Sequence, residues 1–113
     1  MECIFCRIAN KDIKSSFVYE DEDIAVFNDA NPVAPVHLLV IPKRHISSIM
    51  EIGDLEDEII ARILKTISKI AKDMNIDKEG FRVVSNTGLG AGQSVGHLHF
   101  HILGGRKFKW PPG

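Results

Sequence analysis

The sequence has no excess of positive charge, no long apolar run and little cysteine. Its 14 lysine and arginine residues are balanced by 15 acidic ones, which gives a formal net charge of -1. Nucleic-acid-binding proteins neutralise phosphates with clustered basic side chains, so this balance does not favour a polynucleotide partner. No apolar run approaches the roughly 18 residues of a membrane span, and the N-terminus lacks the basic-then-apolar layout of a signal peptide. We therefore expect a soluble, cytoplasmic protein with no membrane partner.

The only two cysteines, Cys3 and Cys6, form a single C-x-x-C pair. Because a secretory signal is not apparent, a structural disulfide is not expected, which leaves a metal pair, a redox pair or two buried thiols. One such pair supplies half of a four-ligand zinc site. The other ligands would have to come from the five histidines.

Three histidines alternate with apolar residues in the stretch His97-Leu98-His99-Phe100-His101-Ile102-Leu103. This is the period of a β-strand, so the three rings should point to one face. Side chains on one face of a strand are roughly 6.5 to 7 Å apart, a spacing that suits a phosphate better than a three-histidine metal cage. Each imidazole is costly to bury unpaired and titrates near neutrality, which favours a chemical role. A zinc ion bound through His-x-His is the alternative.

The other apolar patterns predict short strands in a single domain, as the length of 113 residues allows. Residues 17–19 and 24–27 are separated by an acidic stretch and predict a hairpin. Residues 36–41 form a nearly continuous apolar run before Pro42, typical of a buried central strand. Residues 81–86 predict a further strand.

Two helices are expected, besides a short one within residues 46–52 that leads to Gly53. Apolar residues recur at three- and four-residue steps from Leu55 to Met74, which predicts an amphipathic helix with Asp54 as its N-cap. Residues 4–8 have the spacing of a short helical turn, which would bring Cys3 and Cys6 side by side.

A glycine-rich loop, residues 87–96, precedes the histidine stretch. It fails the dinucleotide-binding pattern because its third glycine is missing and no helix follows, and it lacks the Gly-Lys pair of a P-loop. Its glycines would still let backbone N–H groups approach an anion. The tail carries the only tryptophan, Trp110, which either covers this chain or reaches a second one.

These motifs together resemble the histidine triad family, whose signature is His-x-His-x-His-x-x with apolar residues at x. The match covers nearly the whole chain. The C-terminal Trp-Pro-Pro-Gly is similar to the Hint branch, the purine nucleoside phosphoramidases, more than to the dinucleoside polyphosphate hydrolases. The matching stretches are Phe27-Asn28-Asp29, residues 35–43, residues 92–95, the histidine stretch and Trp110-Pro111-Pro112-Gly113.

The resemblance implies an α+β, HIT-like fold, with an antiparallel sheet of about five strands packed on one long helix in a single domain, residues 1–113. It also implies a homodimer whose sheets pair into one continuous sheet. The implied activity is hydrolysis of the P–N bond of purine nucleoside 5′-phosphoramidates through a covalent nucleotidyl-histidine, with no cofactor for catalysis. A dinucleoside polyphosphate hydrolase and a non-catalytic nucleotide-binding scaffold are the alternatives.

On this resemblance His99 is similar to the nucleophile, with its other ring nitrogen donating to a backbone carbonyl of the same strand. His101 would stabilise charge on the phosphoryl oxygens, together with backbone amides near Ser94 and Val95. Ser94 resembles the residue that hydrogen-bonds the leaving group, and His37 a supporting member of the histidine cluster. A glutamine replaces the third histidine in the transferase branch, so His101 favours water as the final acceptor.

The resemblance also implies contacts to an AMP-like purine nucleotide. Asp29 is similar to the acid that binds the ribose hydroxyls, and Phe27 would border the base. Asn86 and Gln93 would help hold the phosphate, with Gly92 in the same loop.

The animal Hint proteins lack a cysteine pair at the N-terminus. Many bacterial relatives carry C-x-x-C and use it with two histidines as a structural zinc site. The matching positions are Cys3, Cys6, His45 and His97, a ligand set that suits a closed tetrahedral site.

Overall fold

The computed structural model describes residues 3–113, which build a five-stranded antiparallel sheet and confirm the expected α+β class. Within this part of the chain, no helix is both long and apolar enough to cross a membrane. The elements in chain order are α1 (Ile4–Ala9), β1 (Phe17–Glu20), β2 (Ile24–Asn28), β3 (Val36–Pro42), α2 (Asp57–Asp73), β4 (Phe81–Val84) and β5 (Phe100–Gly104).

The strands lie in the order β1-β2-β3-β5-β4, and each neighbouring pair is antiparallel. The predicted hairpin of β1 and β2 is confirmed. Its turn is closed by the Asp21 carboxylate, which accepts hydrogen bonds from the backbone N–H groups of Asp23 and Ile24, both at 2.8 Å. The central strand β3 is buried from His37 to Pro42, as its apolar run predicts.

The long helix α2 has Glu56 rather than Asp54 as its N-cap. Asp54 is instead the last residue of a separate 3₁₀ helix, Ile49–Asp54. Leu55 joins the two in an extended conformation and is only 4% exposed, so its side chain enters the core without belonging to the helix. The apolar stripe of α2 is buried as predicted except at Leu64, which is 57% exposed, and at Ile60, which is partly buried. Its buried residues are Ile59, Ile63, Thr66, Ile67, Ile70 and Ala71.

The sheet has a hydrophobic core on each face. Leu98 and Ile102 point to the face covered by α2. Phe27 and Leu39 point to the other face, where they pack with Phe5 of α1. The short helix α1 confirms the predicted helical turn and is therefore part of a core.

The histidine segment alternates as predicted, but its strand pairing begins at Phe100 rather than at His97. The register of β3 and β5, continued by two residues, brings Pro42 opposite Leu98, and proline has no N–H to donate. The Leu98 N–H donates instead to the Ile46 carbonyl at 2.8 Å. His97 and His99 therefore lie just beyond the ladder.

The C-terminal tail runs along the β4 side of the sheet. The Arg82 guanidinium donates to the Lys109 carbonyl at 3.0 Å, and the Arg106 guanidinium lies 4.3 Å from the centre of the Phe108 ring. Trp110 is 82% exposed. It does not cover its own chain.

Replacing Gly104 by alanine tests how closely β5 packs against the segment after α2. A Cβ at this position would lie 2.8 Å from Cδ1 and 3.0 Å from Cβ of Ile76, which is 4% exposed. We expect Gly104→Ala to lower the free energy of unfolding by about 1–3 kcal/mol, measured by urea denaturation. In the control Gly53→Ala the added Cβ meets nothing within 4 Å, so we expect no loss of stability. Equal losses in both variants would contradict this packing.

Candidate active site and metal centre

A cleft of about 320 Å³ opens beside the histidine segment, between α1 and the end of β2. One side is apolar, with Phe5 and Phe27 among its lining residues. The other side is polar and includes Ser94, His99 and His101. The cleft therefore combines an apolar wall with two imidazoles of the triad.

The ring of His99 is held in one tautomer. Its Nδ1 lies 2.7 Å from the His97 carbonyl oxygen, which can only accept, so Nδ1 carries the proton and Nε2 keeps its lone pair. The ring is 4% exposed and packs edge-on against Phe5, with 5.1 Å between centroids. The Ser85 hydroxyl donates to the His99 carbonyl at 2.8 Å. The backbone and the ring of His99 are thus both fixed.

His101 is held by a chain of hydrogen bonds that starts at a backbone amide. The Val33 N–H donates to Nδ1 of His37 at 3.1 Å, so neutral His37 carries its proton on Nε2. That Nε2–H lies 2.9 Å from Nδ1 of His101, which must accept. His101 therefore carries its own proton on Nε2.

His37 and His101 are both biased towards the neutral form. Burial, with the nearby His99 and His37 rings adding to it, lowers the pKa of His101 to about 4. Burial also lowers the pKa of His37, although the Asp29 carboxylate opposes the shift. At neutral pH His101 is then an uncharged N–H donor.

Asp29 lines the cleft at the end of β2. Its Oδ1 accepts from the Asn31 N–H at 2.8 Å, and its Oδ2 lies 3.3 Å from Nε2 of His37. The Asn31 N–H and His37 therefore orient the carboxylate, and its oxygens can still accept hydrogen bonds from a ligand.

The glycine-rich loop brings Ser94 and Val95 to the cleft but not the other predicted residues of this loop. The Gln93 amide donates to the carbonyls of Ser47 and Val95 at 2.7 and 3.0 Å and accepts from the Gly88 N–H at 2.9 Å. Gly92 has a φ of 84°, which glycine adopts without strain. Asn86 is partly buried outside the cleft lining. The phosphate contacts of Asn86, Gly92 and Gln93 stay predictions.

Two contributions to the cleft and to the position of His99 were not predicted from the sequence. Ile4, Phe5 and Ile8 of α1 line the cleft, and Ser85 anchors the His99 backbone. The apolar spacing of α1 indicated a buried face but not which cavity it borders. A serine at the end of a predicted strand gave no signal, because its partner is a backbone carbonyl 14 residues later in the chain.

Cys3, Cys6, His45 and His97 converge next to the cleft, with all four candidate ligand atoms within 4.8 Å of one another. His97 Nδ1 lies 3.2 Å from His45 Nδ1 and 3.3 Å from Cys3 Sγ, and His45 Nδ1 lies 3.3 Å from Cys6 Sγ. A tetrahedral zinc with ordinary Zn–N and Zn–S bonds separates two nitrogens by about 3.3 Å and a nitrogen from a sulfur by about 3.5 Å. The four residues fit a zinc ion.

The surroundings of His97 fix its ring in the tautomer and the neutral form that a metal ligand needs. Its Nε2–H donates to the Pro42 carbonyl at 2.8 Å, which leaves Nδ1 unprotonated and directed at the other ligands. Burial lowers the pKa of His97 to about 4, so the ring is neutral. Burial also raises the pKa of Cys6 to about 11, with the Cys3 thiol adding to the shift, so metal binding must displace a proton from Cys6.

A second group, Asp29, His37 and His101, also brings its potential ligand atoms within 4.8 Å of one another. Because the Val33 N–H occupies Nδ1 of His37, the Nε2 that faces this group carries a proton and has no lone pair for a metal. These residues therefore form a hydrogen-bonded relay rather than a metal site.

The family model of the HIT domain matches residues 10–108. The chain belongs to the HIT family. Its triad is His97, His99 and His101, and Cys3 and Cys6 of the candidate metal centre precede the residues that the HIT model matches.

Similar proteins match nearly the whole of this chain. An uncharacterized HIT-like protein of Synechococcus elongatus is 43% identical over 112 residues, 99% of this chain and 97% of that protein. The 14 kDa zinc-binding protein of Brassica juncea is 41% identical over 114 residues, 99% of this chain and all of that protein. The crystal structure of a HIT family hydrolase from Legionella pneumophila has a TM-score of 0.91 at 44% identity, covering 99% of this chain and 100% of that one. A histidine triad protein from Clostridium difficile has a TM-score of 0.90 at 52% identity, covering 96% and 95%.

The metal content of single variants shows whether zinc is bound by the group that contains His45 or by the group that contains His37. We expect the gently purified protein to contain one zinc ion per chain, measured by elemental analysis, and His45→Gln to lose most of it because a ligand is missing. His37→Gln is the matched control, since it removes a histidine from the relay only, and it should retain the zinc. Zinc that follows His37 instead of His45 would contradict the assignment.

Proposed function

We propose that this chain is a nucleotide-binding HIT hydrolase of the Hint branch. It cleaves the P–N bond of purine nucleoside 5′-phosphoramidates through a covalent intermediate on His99. The observation that carries the proposal is the pair of tautomers in the cleft. His99 has a free lone pair on Nε2, and the adjacent His101, with 5.1 Å between ring centroids, has an N–H on Nε2. A nucleophile beside a fixed neutral donor suits attack on a phosphoryl group.

In the first step the Nε2 lone pair of His99 forms a bond to the α-phosphorus. The P–N bond breaks, and its electron pair leaves with the amine. The leaving nitrogen gains its proton from the Ser94 hydroxyl, which is exposed and takes a proton from bulk water in exchange. As the His99 ring becomes positively charged, its Nδ1–H stays bonded to the His97 carbonyl, which stabilises that charge.

The second step returns the enzyme to its starting state. Water attacks phosphorus and releases one proton to the solvent, which balances the proton taken up by the amine. The bond to His99 breaks with its electron pair returning to Nε2, and the nucleoside monophosphate leaves. In both steps the His101 Nε2–H donates to a non-bridging phosphoryl oxygen. The relay from Val33 through His37 keeps that donor in place without adding charge.

The remainder of the cleft supports nucleotide recognition. Phe27, with Phe5 in edge contact at 5.6 Å between centroids, forms the apolar wall for a purine. Asp29 would accept hydrogen bonds from the ribose hydroxyls, and Asn86, Gly92 and Gln93 would support the phosphate directly or through the loop.

Zinc at Cys3, Cys6, His45 and His97 is structural in this proposal, and no catalytic cofactor is needed. We further propose a cytoplasmic homodimer of single-domain chains, residues 1–113. The exposed Trp110 in the Trp-Pro-Pro-Gly tail supports contact with a second chain and supports the Hint branch.

Replacing His99 by alanine tests the covalent mechanism. We expect His99→Ala to lower turnover of adenosine 5′-phosphoramidate on the order of 10³-fold or more, because the attacking nitrogen is gone. AMP binding should stay within a few-fold of the wild-type value. Steady-state kinetics and calorimetry measure the two quantities.

A substrate panel separates this proposal from its alternatives. Wild-type protein should hydrolyse phosphoramidates faster than dinucleoside polyphosphates, and a rapidly quenched reaction should carry a nucleotide on His99 by mass spectrometry. Preference for the polyphosphates would indicate the other branch. Binding without turnover of either class would indicate a scaffold, and full turnover by His99→Ala would rule out the mechanism.

A further inference from the structure

The metal centre and the cleft share the short helix α1. Cys3, at the N-cap of α1, and Cys6 supply two of the four candidate ligands, and Phe5 between them lines the cleft. The four ligands themselves are not part of the cleft lining. A bound metal can therefore influence the cleft only through the elements that it holds.

We propose that occupancy of the metal centre sets the nucleotide affinity of the cleft. Bound zinc fixes α1 as a wall of the cleft and fixes His97 as the support of His99. Cys3, Cys6 and His45 are then positioning residues for the nucleotide site. This inference rests on the proposed function, because it concerns the nucleotide that the cleft would bind.

The position of α1 depends on contacts outside the helix. It has six residues, and isolated helices shorter than about 12–15 residues are marginal in water. Phe5 and Ile8 bury one face of α1 against the sheet, and the cysteines tie its start to His97, 94 positions away from Cys3. Loss of the metal removes this long-range tether, so the start of α1 is held less firmly while the apolar contact of Phe5 and Ile8 remains.

His97 links the metal to the nucleophile by a second route. Its ring offers Nδ1 to the metal, while its backbone carbonyl accepts the hydrogen bond from His99 Nδ1 at 2.7 Å. Phe5 touches both rings, with centroid distances of 6.0 Å to His97 and 5.1 Å to His99. A shift of His97 or of α1 would therefore displace the His99 ring, which attacks phosphorus in the proposed reaction.

The two routes predict different kinetic effects. Displacement of α1 removes part of the apolar wall, which weakens nucleotide binding and raises KM. Loosening of His97 lets the His99 ring turn, which lowers kcat because the reacting atoms are no longer aligned. A general loss of stability would change neither the KM nor the kcat of the molecules that remain folded.

AMP affinity is the direct readout, measured by calorimetry on zinc-loaded, zinc-stripped and zinc-reloaded wild-type protein. We expect stripping to weaken AMP binding at least about fivefold, the lower range of ordinary coupling between sites, and reloading to restore it. Stripped protein that stays folded by circular dichroism and binds AMP as tightly as the loaded form would overturn the inference.

A second variant keeps the test decisive if stripped wild type unfolds. His45→Ala removes a ligand outside α1 and retains Cys3, Cys6 and His97, so its AMP affinity should rise with added zinc. Thermodynamic linkage requires AMP to raise zinc affinity by the same factor, measured by competition with a chelator. AMP affinity that is independent of zinc in this variant would overturn the inference.

A matched control separates positioning from stability. Ile63→Val shortens a buried side chain of α2 in the core on the opposite face of the sheet, so it should destabilise the fold but leave AMP affinity unchanged. An equal loss of affinity in this control would count against the inference. Zinc-loaded wild type that binds no AMP would overturn the proposed function and this inference with it, whereas zinc-independent AMP binding overturns the inference alone.

Discussion

The hydrogen bond from His99 Nδ1 to the His97 carbonyl oxygen is the contact on which the candidate active site depends. It spans 2.7 Å inside a buried environment, where the alternative tautomer would leave the carbonyl without its donor. By holding the proton on Nδ1, it leaves a lone pair on Nε2. The relay from Val33 to His101 achieves the opposite tautomer on the neighbouring ring. One cleft thus contains, on two residues of the same type, an unprotonated ring nitrogen and an N–H donor.

Alternation along one extended segment explains how two sites are built side by side. Leu98 and Ile102 bury the segment against α2, so the three histidines must face α1. His97 at one end meets the cysteines, and His101 at the other meets His37. The backbone between them is shared, so the geometry of either site constrains the other.

The features that follow from side-chain period were predictable from the sequence. These include the hairpin, the buried strand β3 and the stripe of α2, because burial selects apolar residues at fixed spacing. Features set by backbone partners were not. Pro42 ends the ladder before His97, and the Gln93 amide is already bonded to backbone groups of Gly88, Val95 and Ser47. Leu55 is buried but lies outside the helix to which its spacing assigned it. The N-cap of α2 is therefore Glu56 and not Asp54.

The most direct test of this account is the tautomeric state of the triad in solution. Long-range ¹H–¹⁵N correlation spectra of ¹⁵N-histidine-labelled protein at neutral pH distinguish protonation at Nδ1 from protonation at Nε2. We expect a proton on Nδ1 of His99 and on Nε2 of His101. A His99 ring protonated on Nε2 would leave no lone pair towards the cleft and would contradict the proposed nucleophile.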